Sequence, residues 1–343
     1  MKKSVFVVIP NYNGSGELKA SVDSVLAQSY TNFKLIIVDN DSHDASRRII
    51  EQYVSDDKRV QAILRDKNYG FTGGVNPGFE QAIEEGIDYV APFNNDAVAN
   101  RHWLKELVDF LDRHPDYGIA ACKLLHSDGK TIDSTGDIYT VWGLPYPRGR
   151  DETVSDNYDD ETTIFGASGG ASLFRVSMLR QIGVFDQDFF AYYEDIDMSF
   201  RGQLAGWKVG YVPTSIAYHG QGVTSGRMGN GFTTMQYVKN TPFIIIKDVP
   251  GSLLVHILPR FLFAYSISLV KALCNPSTTG GALRGFGKML ALIPKKLVER
   301  RRIQKTRTVE AAYIWSIMLH DLPPNARRLR SLRSKWQLLI KHS

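Results

Sequence analysis

The sequence predicts an α/β fold, a doubly wound mixed sheet, and three observations carry that prediction. Short apolar runs end in turn clusters, as strands buried on both faces of a parallel sheet do. Stretches whose apolar residues recur at helical spacing separate those runs. Side chains able to grip a polar, phosphorylated ligand follow each run, and sheets of this kind bind ligands beyond the carboxyl ends of their strands.

The elements follow in order. Residues 5–9 form a continuous apolar run closed by Pro10-Asn11-Tyr12-Asn13-Gly14, and residues 35–38 repeat the design. Between them, residues 18–29 place Leu18, Val22, Val25 and Leu26 on one side of a helix, which completes a β-α-β unit. A second helix is expected over 47–54, a third strand over 60–64, a third helix over 77–85 and a fourth strand over 89–93. Residues 131–163, rich in Gly, Pro, Asp and Tyr, read as a long loop over the sheet. Later strands are expected over 171–174, 209–212 and 216–218, with a helix over 194–204. Beyond residue 240 the composition shifts to Ile, Leu and Phe interrupted by Lys and Arg, so the expected domains are 1–240 and a helical, basic extension over 241–343.

Charge is divided unevenly along the chain. From residue 281 onward 15 Lys and Arg face three acids, a net of +12, in a chain whose total is +5. The body is therefore acidic and the tail basic. Two cysteines, outside any metal-ligand spacing, argue against a disulfide framework or a structural zinc site. Pro10 ends the first apolar run too early for a secretory signal, so a cytoplasmic protein is expected.

Several polar constellations are candidates for chemistry. Asp39 ends the second strand where an acid can accept hydrogen bonds from a base or ribose, although a turn residue would look the same. Asp41 and Asp44 read as turn and helix-capping residues. Residues 68–78 form a glycine-rich stretch entering a helix, but match neither dinucleotide nor P-loop patterns. Asn94-Asn95-Asp96 offers one carboxylate at a strand end, where a divalent cation would need further oxygens from a substrate diphosphate.

Tyr193-Glu194-Asp195 places acids in the first turn of a helix, whose partial positive charge favours their ionised forms. Glu194 and Asp195 point about 100° apart, so they serve different ends. Asp197 reads as a polar-face residue. His219 stands at a strand end before a Gly-, Ser- and Thr-containing loop that reaches Arg227, suited to folding over phosphate.

Taken together these motifs resemble the inverting family 2 glycosyltransferases of the GT-A fold, in particular the rhamnosyltransferase-like branch. The resemblance rests on residues 8–13, 24–28, 37–40, 68–71, Asn94-Asn95-Asp96, 183–186, Tyr193-Glu194-Asp195 and Tyr218-His219. It implies that Pro10, Asn11, Asn13, Asp39, Asn68, Gly73, Asn95, Asp96 and Arg227 surround a nucleotide sugar. It further implies that Asp96 and His219 hold Mg2+ or Mn2+ and that Asp195 is the catalytic base. Asn94 stands where many relatives carry the first Asp of a D-x-D motif, which removes one charge from the metal site.

The implied reaction moves a sugar from a nucleoside diphosphate, dTDP-L-rhamnose in this branch or a UDP-hexose in its rival, to a polysaccharide or lipid-linked acceptor. A sugar nucleotidyltransferase would need a glycine- and arginine-rich loop after the first strand, and none is there. A non-catalytic membrane scaffold would have no use for Asp96, Asp195 and His219 together. In the tail, Lys295-Lys296, Arg300-Arg301-Arg302 and residues 327–333 alternate with apolar residues, which suits amphipathic helices on an anionic membrane surface. A solvated face or a homo-oligomer contact is the alternative. Nucleic-acid binding is not expected, since no recognised module accompanies the charge. Over 243–274 the apolar run is broken by Lys247, Arg260, Lys271 and prolines, so a membrane-spanning segment is not expected.

Overall fold

A computed structural model of the chain describes residues 2–220, 229, 231–326 and 330–331. Its first half alternates strands and helices: β1 Val5–Asn11, α1 Leu18–Leu26, β2 Phe33–Asp39, α2 Ser46–Asp56, β3 Val60–Leu64, α3 Gly70–Glu84 and β4 Tyr89–Pro92. After β5 Ala97–Ala99 and α4 Trp103–Arg113 come β6 Tyr117–His126, β7 Ile132–Ser134, β8 Asp137–Tyr139, β9 Pro145–Pro147 and β10 Thr162–Ile164. The sheet-bearing part of the chain closes with β11 Ser172–Arg175, α5 Val176–Ile182, α6 Glu194–Leu204 and β12 Lys208–His219.

The main sheet runs β10-β12-β6-β11-β4-β1-β2-β3, with β5 beside β12 and β7 beside β6. β1 pairs in parallel with β2 and β4, whereas β11 is antiparallel to β4 and β6. Alternate residues of β1 and β2 enter different cores. Val5, Val7, Leu35 and Ile37 meet α1 and α4 on one face, while Phe6, Val8, Ile36 and Val38 meet α3 on the other. Burial on both faces explains the unbroken apolar runs.

Four sequence expectations change. The helix foreseen over 77–85 begins at Gly70, because Val75, Phe79 and Ala82 bury one face of α3 and that burial overrides weak glycine and proline propensities. At Gly78 a Cβ would lie 2.4 Å from Val8, so only glycine lets α3 approach β1 so closely. The loop foreseen over 131–163 contains β7, β8, β9 and the start of β10, strands of three residues that are too short to register as periodicity. The two strands foreseen over 209–218 are one, β12, whose register shifts between Val212 and Ile216 around Pro213, which has no N–H to give the ladder.

The C-terminal region is helical: α7 Phe232–Lys247, α8 Gly251–Cys274, α9 Pro276–Lys305 and α10 Ala311–Ile317. The expected boundary at residue 240 falls inside α7. Val238, Phe243, Ile244, Ile257 and Phe261 share one core with Tyr139, Phe165, Phe189, Phe200 and Leu204. The fourth change concerns α8, which continues for 24 residues through Pro259, Arg260 and Lys271. By length and composition it could cross a membrane, with mean hydropathy 1.8 over its most apolar window. One side of it is nevertheless buried against the body through Leu253, Ile257, Phe261, Ala264 and Tyr265.

Candidate active site

A cavity of about 680 Å³ opens beyond the carboxyl ends of β1, β2 and β4. Pro10, Asn11, Asn68, Asn95, Asp96, Asp195 and His219 all line it. Asp39 and Asn13 stand behind its wall. The Asp39 carboxylate is fully buried and accepts from Asn11 Nδ2 at 3.2 Å, the Ser42 N–H at 3.0 Å and Arg47 Nε at 3.1 Å. Asn11 in turn accepts from Asn95 Nδ2 at 2.8 Å, so the ends of β1, β2 and β4 are tied through Asn11. Asn13 donates its N–H to Ser42 Oγ and accepts from the His43 N–H. Gly73 lies inside α3 against Tyr69 and does not line the cavity. Arg227 lies outside the described residues.

Asp44 behaves as a turn carboxylate. It accepts the N–H groups of Ser15 and Ser46, which hold it down at about 2 against the opposing effect of burial.

His219 and Asp96 meet across paired strands. β12 pairs with β5 so that His219 is opposite Ala97, one residue after Asp96. His219 Nε2 lies 3.1 Å from Asp96 Oδ1 and 3.0 Å from Asn94 Nδ2. Two neighbouring ligands about 2.1 Å from one octahedral ion lie about 3 Å apart, so the Asp96–His219 pair fits a divalent cation with oxygens still to be supplied. The other ring nitrogen, Nδ1, is 2.8 Å from Asp133 Oδ2. Asp133 is buried on β7, and its second oxygen pairs with Arg150 at 2.7 Å. Burial disfavours charge on His219, but Asp133 and Asp96 outweigh it and push the ring up to about 9. The Asp133 contact at Nδ1 also leaves Nε2 as the ring nitrogen facing Asp96, an arrangement common in ligating histidines, which give their second nitrogen to a carboxylate.

Asp195 sits in the first turn of α6. Its Oδ2 accepts the Gly169 N–H at 3.1 Å and its Oδ1 the Ile196 N–H at 2.9 Å. Those bonds stabilise the anion as the helix position suggested, yet burial outweighs them and raises its pKa. Asp137 of β8 also lines the cavity and is raised by burial and by the Asp195 charge. A carboxylate raised in this way holds its proton at higher pH than an exposed aspartate does.

The approach to Asp195 is strained. Phe190, Tyr192 and Tyr193 have φ of 65°, 68° and 73°, a region costing non-glycine residues of order 1–3 kcal/mol each. Helix α7 holds them there. Asn240 Nδ2 donates to the carbonyls of Phe189, Ala191 and Tyr192, and Lys239 Nζ to those of Asp188 and Phe189. On the other side Gly70, at φ 74°, meets the Phe190 carbonyl so closely that a Cβ there would be 2.2 Å from it.

Beneath this loop lies a buried ion cluster. Lys296 Nζ is 2.6 Å from Asp186 and from Asp188 and 3.0 Å from Glu299. Lys247 pairs with Asp186 and Asp197, and Arg201 with Asp197. Asp197 is thus no polar-face residue but a fully buried partner of two cations. Asp186, Asp188 and Glu299 are close enough together to hold a metal ion, but the Lys296 ammonium already supplies the positive charge at their centre. The cluster is a structural clamp between α6, α7 and α9.

Asp133, Asp137 and Arg150 had no motif to mark them. They lie in a stretch of loop-like composition, and only the pairing of β7 with β6 brings Asp133 to a histidine 86 residues away.

The family model for glycosyl transferase family 2 matches residues 6–183. The chain belongs to that family. It is 30% identical over 133 residues to a teichuronic acid biosynthesis glycosyltransferase of Bacillus subtilis, covering 38% of this chain and 52% of that one, so it spans about half that relative's length. It is 26% identical over 244 residues to an N-acetylglucosaminyl-diphospho-decaprenol L-rhamnosyltransferase of Mycobacterium tuberculosis, covering 64% of this chain and 77% of the relative. The solved mannosyltransferase of Pyrobaculum calidifontis, in complex with GDP-Man and Mn2+, superposes with a TM-score of 0.54 at 15% identity over 89% of this chain and 86% of that one. That likeness establishes the shared GT-A fold.

Proposed function

We propose that this family 2 enzyme is a metal-dependent inverting glycosyltransferase of bacterial cell-surface glycan synthesis. It moves L-rhamnose from dTDP-L-rhamnose to a hydroxyl of a polysaccharide or lipid-linked acceptor, working as a peripheral protein at the inner face of the plasma membrane. The observation that carries the reaction class is a half-buried, cavity-lining Asp195 in the same pocket as the Asp96–His219 pair. Rhamnose is supported by the mycobacterial relative, whose name specifies an L-rhamnosyl donor and a lipid-linked acceptor.

Pro10, Asn11, Asn68 and Asn95 face the nucleotide, with Asp39 and Asn13 fixing the wall from behind. Asp96 and His219 hold the cation, Mg2+ or Mn2+, with Asp133 keeping Nε2 turned toward Asp96. When bound, the cation offsets charge on the departing diphosphate. Asp195 takes the proton of the acceptor hydroxyl as its oxygen attacks the anomeric carbon. The bond from that carbon to the diphosphate oxygen breaks, and its electron pair leaves with the nucleoside diphosphate. The N–H groups of Gly169 and Ile196 keep the Asp195 carboxylate in place.

The test is a panel of nucleotide sugars with Mn2+ or Mg2+, reading nucleoside diphosphate release and the anomeric configuration of the product. dTDP-rhamnose turnover with inversion supports the proposal. Turnover of UDP-hexoses alone removes the donor assignment, and retention of configuration removes the single displacement at Asp195.

A further inference from the structure

Asp137 is a buried carboxylate that the protein leaves without a partner. It is 7% exposed and lines the cavity. Its side chain takes part in no hydrogen bond or ion pair among the described residues. Its own N–H donates to the Gly166 carbonyl at 2.7 Å and its carbonyl accepts the Gly166 N–H at 3.1 Å, so the carboxylate is the polar group left to face the cavity. Other buried acids nearby are satisfied, Asp39 by Asn11, Ser42 and Arg47 and Asp133 by His219 and Arg150. Burying a carboxylate without such partners is costly, so one left that way at a cavity wall is suited to a ligand that supplies them.

Its position is fixed beforehand. Asp137 opens β8 opposite Pro147 of β9. Ser134 Oγ closes the turn before it, donating to the Gly136 carbonyl at 2.8 Å and accepting the Gly136 N–H at 3.1 Å. A group held in this way meets a ligand at little cost in ordering.

Charge and shape place it on the acceptor side. Asp195 acts on Asp137 more strongly than Arg150 or Asp133 does, and neither Asp96 nor His219 is among its charged neighbours. In a single inverting displacement the attacking hydroxyl and the departing diphosphate lie on opposite sides of the anomeric carbon. A carboxylate beside the base and away from the cation pair therefore lies with the incoming sugar. The loop that leads to Asp195 adds aromatic faces: Phe190 and Tyr192 line the cavity with their ring centroids 6.0 and 6.4 Å from that of Phe232, and Tyr192 is 37% exposed. A sugar ring offers C–H faces to aromatic rings and hydroxyls to carboxylates, so such a wall suits a saccharide.

We propose that Asp137 binds a second hydroxyl of the acceptor sugar, beside the one that Asp195 deprotonates, and so selects which saccharide is glycosylated. The proposal rests on the transfer reaction above and adds a specificity residue to it. Asp137 makes and breaks no covalent bond, and the acceptor proton goes to Asp195.

The test uses octyl glycosides of glucose, galactose, mannose, rhamnose and N-acetylglucosamine as acceptors, the donor that the wild type turns over, and the variants Asp137→Asn and Asp137→Ala. A hydrogen bond to a charged group is worth about tenfold to a hundredfold, so the acceptor KM should rise at least about tenfold in either variant. Affinity for the nucleoside diphosphate with Mn2+ should be kept. Among monodeoxy analogues of the best acceptor, one should be poorer than its parent by about tenfold or more with the wild type and equal to it with Asp137→Ala. The free Asp137→Asn variant should melt no lower than the wild type, because it removes an unpartnered buried acid, whereas loss of a structural carboxylate would lower the melting temperature. Three results would overturn the proposal: wild type and Asp137→Ala discriminating alike across the deoxy series, nucleoside diphosphate affinity falling in step with acceptor affinity, or no glycoside of the panel accelerating nucleoside diphosphate release. All three leave the transfer reaction standing. A wild type that releases no nucleoside diphosphate from any nucleotide sugar would remove that reaction and this proposal with it.

Discussion

Replacing Lys296 by methionine tests whether the ion cluster holds the loop that leads to Asp195 to the C-terminal helices. The ammonium is fully buried and 2.6–3.0 Å from three carboxylates. At an effective dielectric near 20, each contact at this range is worth roughly 5–6 kcal/mol of gross attraction, most of it cancelled by desolvation. Breaking a buried pair by removing one partner costs about 3–5 kcal/mol, because the orphaned charge stays behind. Four carboxylates, Asp186, Asp188, Asp197 and Glu299, face four cations, Lys247, Lys295, Lys296 and Arg201. The variant therefore leaves one uncompensated negative charge. Urea unfolding at neutral pH should show the loss, and Asp186→Leu added to Lys296→Met should recover part of it. A loss below about 1 kcal/mol would refute the reasoning. The clamp also has a pH signature. Asp186 and Asp197 are held below the usual carboxylate range: burial opposes this, but nearby cations outweigh it. A depressed folded pKa contributes stability in full above the unfolded value near 4 and loses it as pH falls through that value toward the folded one.

Other outcomes follow from the site. Asp133→Asn should weaken Mn2+ binding about 10–100-fold in calorimetry without donor, since loss of an orienting carboxylate costs about that much. Gly70→Ala forces a Cβ onto the Phe190 carbonyl and should raise the donor KM, and an unchanged KM would mean that the loop moves aside freely. The acid limb of kcat/KM should lie above the ordinary aspartate value, because burial raises Asp195 and activity is lost as pH falls through that raised pKa.

Much of this site was legible in residue order. The runs at 5–9 and 35–38 are buried on both faces, so hydrophobicity alone located their ends and with them Asn11 and Asp39, while Asn68, Asn95 and Asp96 followed from the ends of the third and fourth strands. Asp195 and His219 stood out because a helix start and a strand end are places where side chains meet a ligand. Asp133 was invisible. It lies on a three-residue strand, and its partner is set by pairing across the sheet, which no local pattern records. The glycines of α3 misled for a related reason: low intrinsic helicity yields when Val75 and Phe79 can be buried on β1. Asp197 read as a polar-face residue, and it is Lys247 of α7, beside Arg201 of its own helix, that pairs with it in the interior.

The most direct measurement is steady-state transfer by Asp195→Asn beside its affinity for the donor nucleotide. The account predicts that kcat falls by about 100-fold or more while nucleoside diphosphate affinity is unchanged, because the amide keeps the shape and loses the basicity. Undiminished turnover in that variant would contradict it.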